Sequence, residues 1–112
     1  MKMDGTRLSM IRGDTETLLV TCEDATGAAR PFEEGDTVHL TVGLENGIRK
    51  ILQKTVTVFQ DGGAVFHFGH EDTNGIPPAR YRYDVQLTTR DGAVKTIIPP
   101  GDFILEGDVT RE

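Results

Sequence analysis

Few side chains in this sequence could do chemistry, and each can be weighed against the neighbours it would need. Ser9 is the only serine, and as an acyl-transfer nucleophile it would require a histidine and an acid to take its proton. Its neighbours Leu8 and Met10 do not form the sharp turn of a nucleophile elbow, so it reads as a solvent-facing strand residue. Cys22, the single cysteine, is in phase with Leu18 and Val20, which makes it a small buried hydrophobe rather than a reactive thiolate. His67 and His70, followed by Glu71 and Asp72, offer the imidazole and carboxylate groups that zinc takes. Positions three apart at a strand end point to opposite faces, so these are expected to be exposed edge histidines. Glu33, Glu34 and Asp36 lack the regular ligand spacing of a calcium loop and read as a solvated turn. No metal and no cofactor is expected.

Arg12-Gly13-Asp14 spells an adhesion tripeptide, yet it falls where the chain needs a turn. Similar Gly-Asp pairs recur at Gly35-Asp36, Gly101-Asp102 and Gly107-Asp108, where glycine permits special backbone angles and aspartate bonds nearby amides. They are read as structural punctuation. With no coherent set of acid, base and nucleophile, the expectation is a protein that is not an enzyme.

The elements that hold these residues follow from hydropathy. The 112 residues suit one domain with one core, spanning residues 1–112. Eighteen acidic against twelve basic residues give a net charge of −6, which argues against nucleic acid and anionic membranes as partners. The first ten residues contain no apolar segment that could act as a signal or a membrane span. A lone cysteine fits a reducing cytoplasm.

Apolar and polar residues alternate throughout, which is the period of half-buried strands, and no segment shows a useful helical period. Strands are expected over residues 6–11, 16–22, 37–44, 50–59, 64–68, 81–87, 93–98 and 102–109. Val38, Leu40, Val42 and Leu44 face the core, with His39 and Thr41 facing out. Asn46-Gly47 is a strong hairpin signal. Between Lys50 and Phe59 the phase breaks, because Val56 and Val58 have the opposite parity to Ile51; a bulge or two-sided burial would reconcile this. The stretch from Glu71 to Pro78 reads as a crossing loop. Tyr81, Tyr83, Val85 and Leu87 form the clearest apolar face, with Arg80, Arg82, Asp84 and Gln86 behind it. A two-residue turn at Asp91-Gly92 would put Val94 and Ile98 on the tyrosine side and Ile97 on the arginine side, and Pro99-Pro100 would end that strand. The fold class expected is all-β, an immunoglobulin-like antiparallel β-sandwich of about seven to eight short strands. A jelly roll or small barrel is the alternative, since tryptophan and a second cysteine are missing.

The opening run Met10-Ile-Arg-Gly-Asp-Thr15 and Glu23-Asp24-Ala-Thr-Gly27 resembles the amino-terminal immunoglobulin-like domain of phage baseplate upper proteins. The closing run is similar too, through Tyr81-Arg-Tyr-Asp-Val-Gln-Leu87, Asp91-Gly92, Val94-Lys-Thr-Ile97, Gly101-Asp-Phe-Ile-Leu105 and Asp108-Val-Thr110. The resemblance implies a bacteriophage or prophage virion component, made in the bacterial host cytoplasm and built into a tail, baseplate or fibre. Its partners would be other virion proteins and copies of itself in a symmetric homo-oligomer. Family members commonly continue into receptor-binding parts, whereas this sequence ends at Glu112, so assembly or adaptor duty is expected. Arg80, Arg82 and Asp84 around an outward Ile97 are the candidate partner contact, alongside exposed strand edges. The rival function is a small carbohydrate- or ligand-binding sandwich, which would present an aromatic platform.

Overall fold

The computed structural model of the chain describes residues 1–44 and 49–109. Among them run β1 (Lys2–Asp4), β2 (Arg7–Ile11), β3 (Glu16–Val20), β4 (Thr37–Gly43), β5 (Lys50–Val56) and β6 (Ala64–Phe68). A short helix α1 (His70–Asn74) follows, then β7 (Ala79–Thr88) and β8 (Val94–Glu106). The strands form a six-stranded sheet in the order β1-β2-β8-β7-β4-β5 and a two-stranded sheet of β3 and β6. The protein is thus mostly β, with two sheets enclosing a core in a sandwich-like way. Leu8, Met10, Val38, Leu40, Val42, Tyr81, Tyr83, Val85, Leu87, Phe103 and Leu105 come from the larger sheet. Leu18, Val20, Ala64, Phe66 and Phe68 oppose them from the smaller, all in one buried cluster. Alternation put these residues on single faces, and burial follows it in β4, β6 and β7, although Leu44, expected to face the core, lies beyond β4 and is 36% exposed.

The phase break in β5 has a local cause. Val42 pairs with Leu52 but Gly43 pairs with Lys50, so Ile51 is the extra residue of a bulge. The Asn46-Gly47 turn lies outside the described residues.

Several expectations are corrected. The pairing is not wholly antiparallel, because β2 lies parallel to β8, with Leu8 opposite Phe103 and Met10 opposite Leu105. Lys2–Asp4 adds a strand ahead of the first one expected, pairing back onto β2. Cys22 lies beyond β3 and is half-buried. Part of the presumed crossing loop is α1, five residues long, too short to display a helical period.

The hairpin after β7 also differs. Thr89 and Ala93 close it, the Thr89 N–H donating to the Ala93 carbonyl at 2.8 Å. The turn is therefore three residues, with Gly92 taking the left-handed conformation at φ 91°. Thr88 then opposes Val94, so Val94 stands 61% exposed instead of joining the tyrosine face. A second irregularity leaves Ile97 unopposed and returns Ile98 to a place across from Val85. Pro99 and Pro100 do not end the strand; β8 runs through them to Glu106. They fall before Phe103, where pairing with β2 begins, so this half of β8 is hydrogen-bonded to β7 alone. Proline is tolerated on such an edge because no second neighbour asks for its missing N–H.

Two polar locks hold the elements in place. The Tyr83 hydroxyl donates to the Thr6 carbonyl, and burial pushes its phenol up to about 12. The turn after β2 is gripped by α1: the Gly13 N–H donates to Thr73 Oγ1 at 2.8 Å, and His70 Nδ1 donates to the Gly13 carbonyl at 2.7 Å. Gly13 sits at φ 84°, and a Cβ there would press the His70 ring at 3.3 Å. Thr73 is fully buried, so losing its hydroxyl removes the acceptor of the part-buried Gly13 N–H. Thr73→Val is expected to lower stability by about 1–3 kcal/mol, read as a lower urea midpoint with an unchanged slope. Thr73→Ser should retain most of the stability.

Candidate functional site

Strand register assembles the outer face of the larger sheet in rows, since residues opposed across antiparallel strands point the same way. Asp102, Arg82, Gly43 and Lys50 form one row, Asp84, Thr41 and Gln53 the next, and Thr96, Gln86, His39 and Thr55 a third. The outward placement of His39 and Thr41 read from alternation therefore holds. The rows are tied by side-chain bonds: Arg82 to Asp102 at 2.8 Å and to the Pro100 carbonyl at 3.0 Å, Gln53 to Thr41 at 3.0 Å, and His39 with Thr55 at 3.0 Å. Gly43 contributes no side chain to its row. The result is a notch of about 300 Å³ between Arg82 and Pro100 on one side and Arg49, Lys50 and Gln53 on the other.

Of the four contact residues expected, Arg80, Arg82 and Asp84 share this outer face along β7. Arg80 lies a row away, opposite Ile104. Ile97 is not with them. As the unopposed bulge residue it packs against the core cluster and lines a separate depression with Thr21, Cys22 and Lys95. Sequence reasoning missed Gly43, Arg49 and Lys50, whose place beside Arg82 depends on the register of β4 against both neighbours. The outward parity of His39 and Thr41 was the only signal available for that side of the notch.

The other chemical candidates are drawn into structural roles. Arg12 of the adhesion-like tripeptide bonds Asp108 at 2.9 Å, and its Gly13 is clamped by α1. Asp36 departs from the solvated turn expected of it, being only 3% exposed. Its carboxylate accepts from Arg30 at 2.8 Å and from the Glu33 N–H at 3.0 Å. Burial alone would raise the Asp36 pKa, but the Arg30 bond and the Glu33 amide outweigh it and hold the group below the ordinary carboxylate value. His67 and His70 are exposed, as expected, with His70 spent on Gly13. Asp72 caps α1 by accepting the Gly69 N–H at 2.7 Å and pairs with Lys54 at 2.8 Å. The Lys54 bond chiefly keeps its pKa low, against a smaller opposing effect of burial.

Among the described residues no group of three or more His, Cys, Asp and Glu could hold a metal ion. No helix among them is long and apolar enough to cross a membrane. No protein-family model matches the chain, and no curated protein matches its sequence.

The Asp36 geometry fixes the sign of an acid response. A carboxylate whose folded pKa is depressed stabilises the fold above its unfolded value, 3.8 for aspartate, and that contribution disappears as pH falls through the lower folded value. Urea midpoints should hold between about pH 7 and about pH 5 and drop below about pH 4. Asp36→Asn should cost about 1.5–3 kcal/mol at neutral pH, and its deficit relative to the parent chain should shrink toward about pH 2.

Proposed function

We propose that this protein is a non-catalytic assembly module of a phage or prophage virion, an immunoglobulin-like domain that docks other tail, baseplate or fibre proteins through its outer sheet face. The observation that carries this reading is the distribution of polar chemistry. Asp36, Asp72, Arg12, His70 and Thr73 are committed to turns and caps, whereas the outer face of the six-stranded sheet keeps an open notch. A surface of that kind suits recognition.

The immunoglobulin-like assignment draws on strand order. The run β5-β4-β7-β8 facing a β3-β6 pair parallels the C′-C-F-G and B-E arrangement of variable-type domains. Tyr81, near the start of β7, donates to the Pro77 carbonyl four residues upstream, in the manner of the tyrosine corner of such sandwiches. The virion assignment draws on the resemblance of residues 10–27 and 81–110 to baseplate upper proteins.

The glycan-binding alternative wants an exposed aromatic platform, and both tyrosines are buried in the core, Tyr81 at 6% and Tyr83 at 2% exposed. Edge-to-edge assembly is less suited than face docking. Free edge β1 is only three residues long. On β5, Lys54 opposes the buried Leu40 and so points inward, reaching over Phe68 to Asp72; inward charge is a device that blunts strand pairing.

Mass spectrometry of gradient-purified particles, from a phage or induced prophage encoding the chain, is the test. The protein should copurify with tails in a fixed ratio to other tail components. Abundance in the lysate together with absence from the particles would refute the assignment.

A further inference from the structure

The charge around the notch runs against the rest of the molecule. The chain carries 18 acidic and 12 basic residues, yet among the described residues the charged side chains lining the notch are Arg49, Lys50 and Arg82, the last paired with Asp102, against Asp84. Arg49 and Lys50 are exposed. A basic island on an acidic protein attracts negative charge locally while the remaining surface repels it, which selects for a small acidic feature over a long polyanion.

The shape points the same way. Gly43 leaves the floor of its row empty, and a Cβ there would lie 2.9 Å from the Arg49 carbonyl, so the backbone itself forms the base of the notch. Arg82 is held in place by Asp102 and Pro100. It uses two of its nitrogens there, and a guanidinium has five N–H donors in total. A carboxylate entering over Gly43 would meet Arg82 from one side and Lys50 from the other. One row further along β4, about 7 Å away for two residues of strand, Thr41 and Gln53 present hydroxyl and amide groups. Alternate side chains of an extended segment have this same spacing.

We propose that the notch binds an extended acidic segment of a partner protein, with one carboxylate seated between Arg82 and Lys50 and the next outward residue over Thr41 and Gln53. This rests on the docking reading above and names the chemistry of what docks. Nucleic acid is the less suitable occupant. The net charge of −6 opposes a polyanion, and Tyr83, which also lines the notch, is buried and turned away from a stacking role.

The test is fluorescence anisotropy of the full chain with a dye-labelled peptide of alternating Glu and Val. A Gln-for-Glu counterpart and a single-stranded oligothymidylate of similar length serve as comparisons. The acidic peptide should bind saturably, at least about fivefold more tightly than the Gln peptide, and should weaken several-fold as salt rises from about 50 to about 200 mM. Arg49→Glu combined with Lys50→Glu should abolish binding while leaving the melting temperature unchanged, because both side chains are exposed. No binding, equal binding of the Gln peptide, retention in the double variant, or preference for the oligothymidylate would each overturn the proposal. Incorporation into particles is measured separately, so failure here and failure of the virion assignment are distinguishable.

Discussion

A six-stranded sheet, whose β1 alone is exposed throughout, faces only two strands across the core, and most of the structure answers that mismatch. At about 4.8 Å per strand, a two-stranded ribbon spans only about a third of the width of the larger sheet. Large side chains make up part of the difference, with Phe66 and Phe68 on β6 both fully buried. The remainder is covered by connections. Phe32 and Phe59 pack ring to ring at 5.2 Å centroid separation, and Met1, Cys22 and Ile76 lean on the same cluster. In α1, the buried Thr73 brings a hydroxyl rather than a hydrocarbon.

Covering a core with loops brings backbone polar groups out of water, and each must find a partner. This explains where the charged and polar side chains have gone. Asp36 satisfies the Glu33 amide and keeps Arg30 beside it; Asp72 satisfies Gly69 at the start of α1; Thr73 and His70 satisfy both polar groups of Gly13. None of the described buried side-chain nitrogens or oxygens lacks a partner. Groups that looked like candidate ligands or nucleophile partners are thus the fittings of turns. The outer face of the larger sheet is exempt from this demand because its backbone is already paired strand to strand. Its side chains bond one another across the strands and are not drawn into turns.

The same division governs the edges. A β-sheet edge invites another strand, and this sheet ends at one side in a three-residue strand and in the stretch of β8 before Phe103, which carries Pro99 and Pro100, and at the other side in a strand with an inward lysine. The sheet is therefore closed to extension more than its face is closed to docking, and Gly43 gives that face a concave feature.

Sequence by itself placed most of the strands and the inward faces of the clearest ones. Alternation depends only on the two-residue period of extended chain, so Val38 to Val42 and Tyr81 to Leu87 could be assigned inward before any partner was known. It also placed turns at Gly13 and at Asp91-Gly92, and it showed a phase break near Ile51 that either a bulge or two-sided burial would explain. What it could not determine was anything requiring the relative position of distant segments. The parallel seat of β2 on β8, the three-residue turn that exposes Val94, the removal of Ile97 from the arginine face, and the meeting of Gly43, Lys50 and Arg82 are all matters of register between strands. A shift of one residue reverses every side chain, and only the packing of both sheets on one core selects among the shifts.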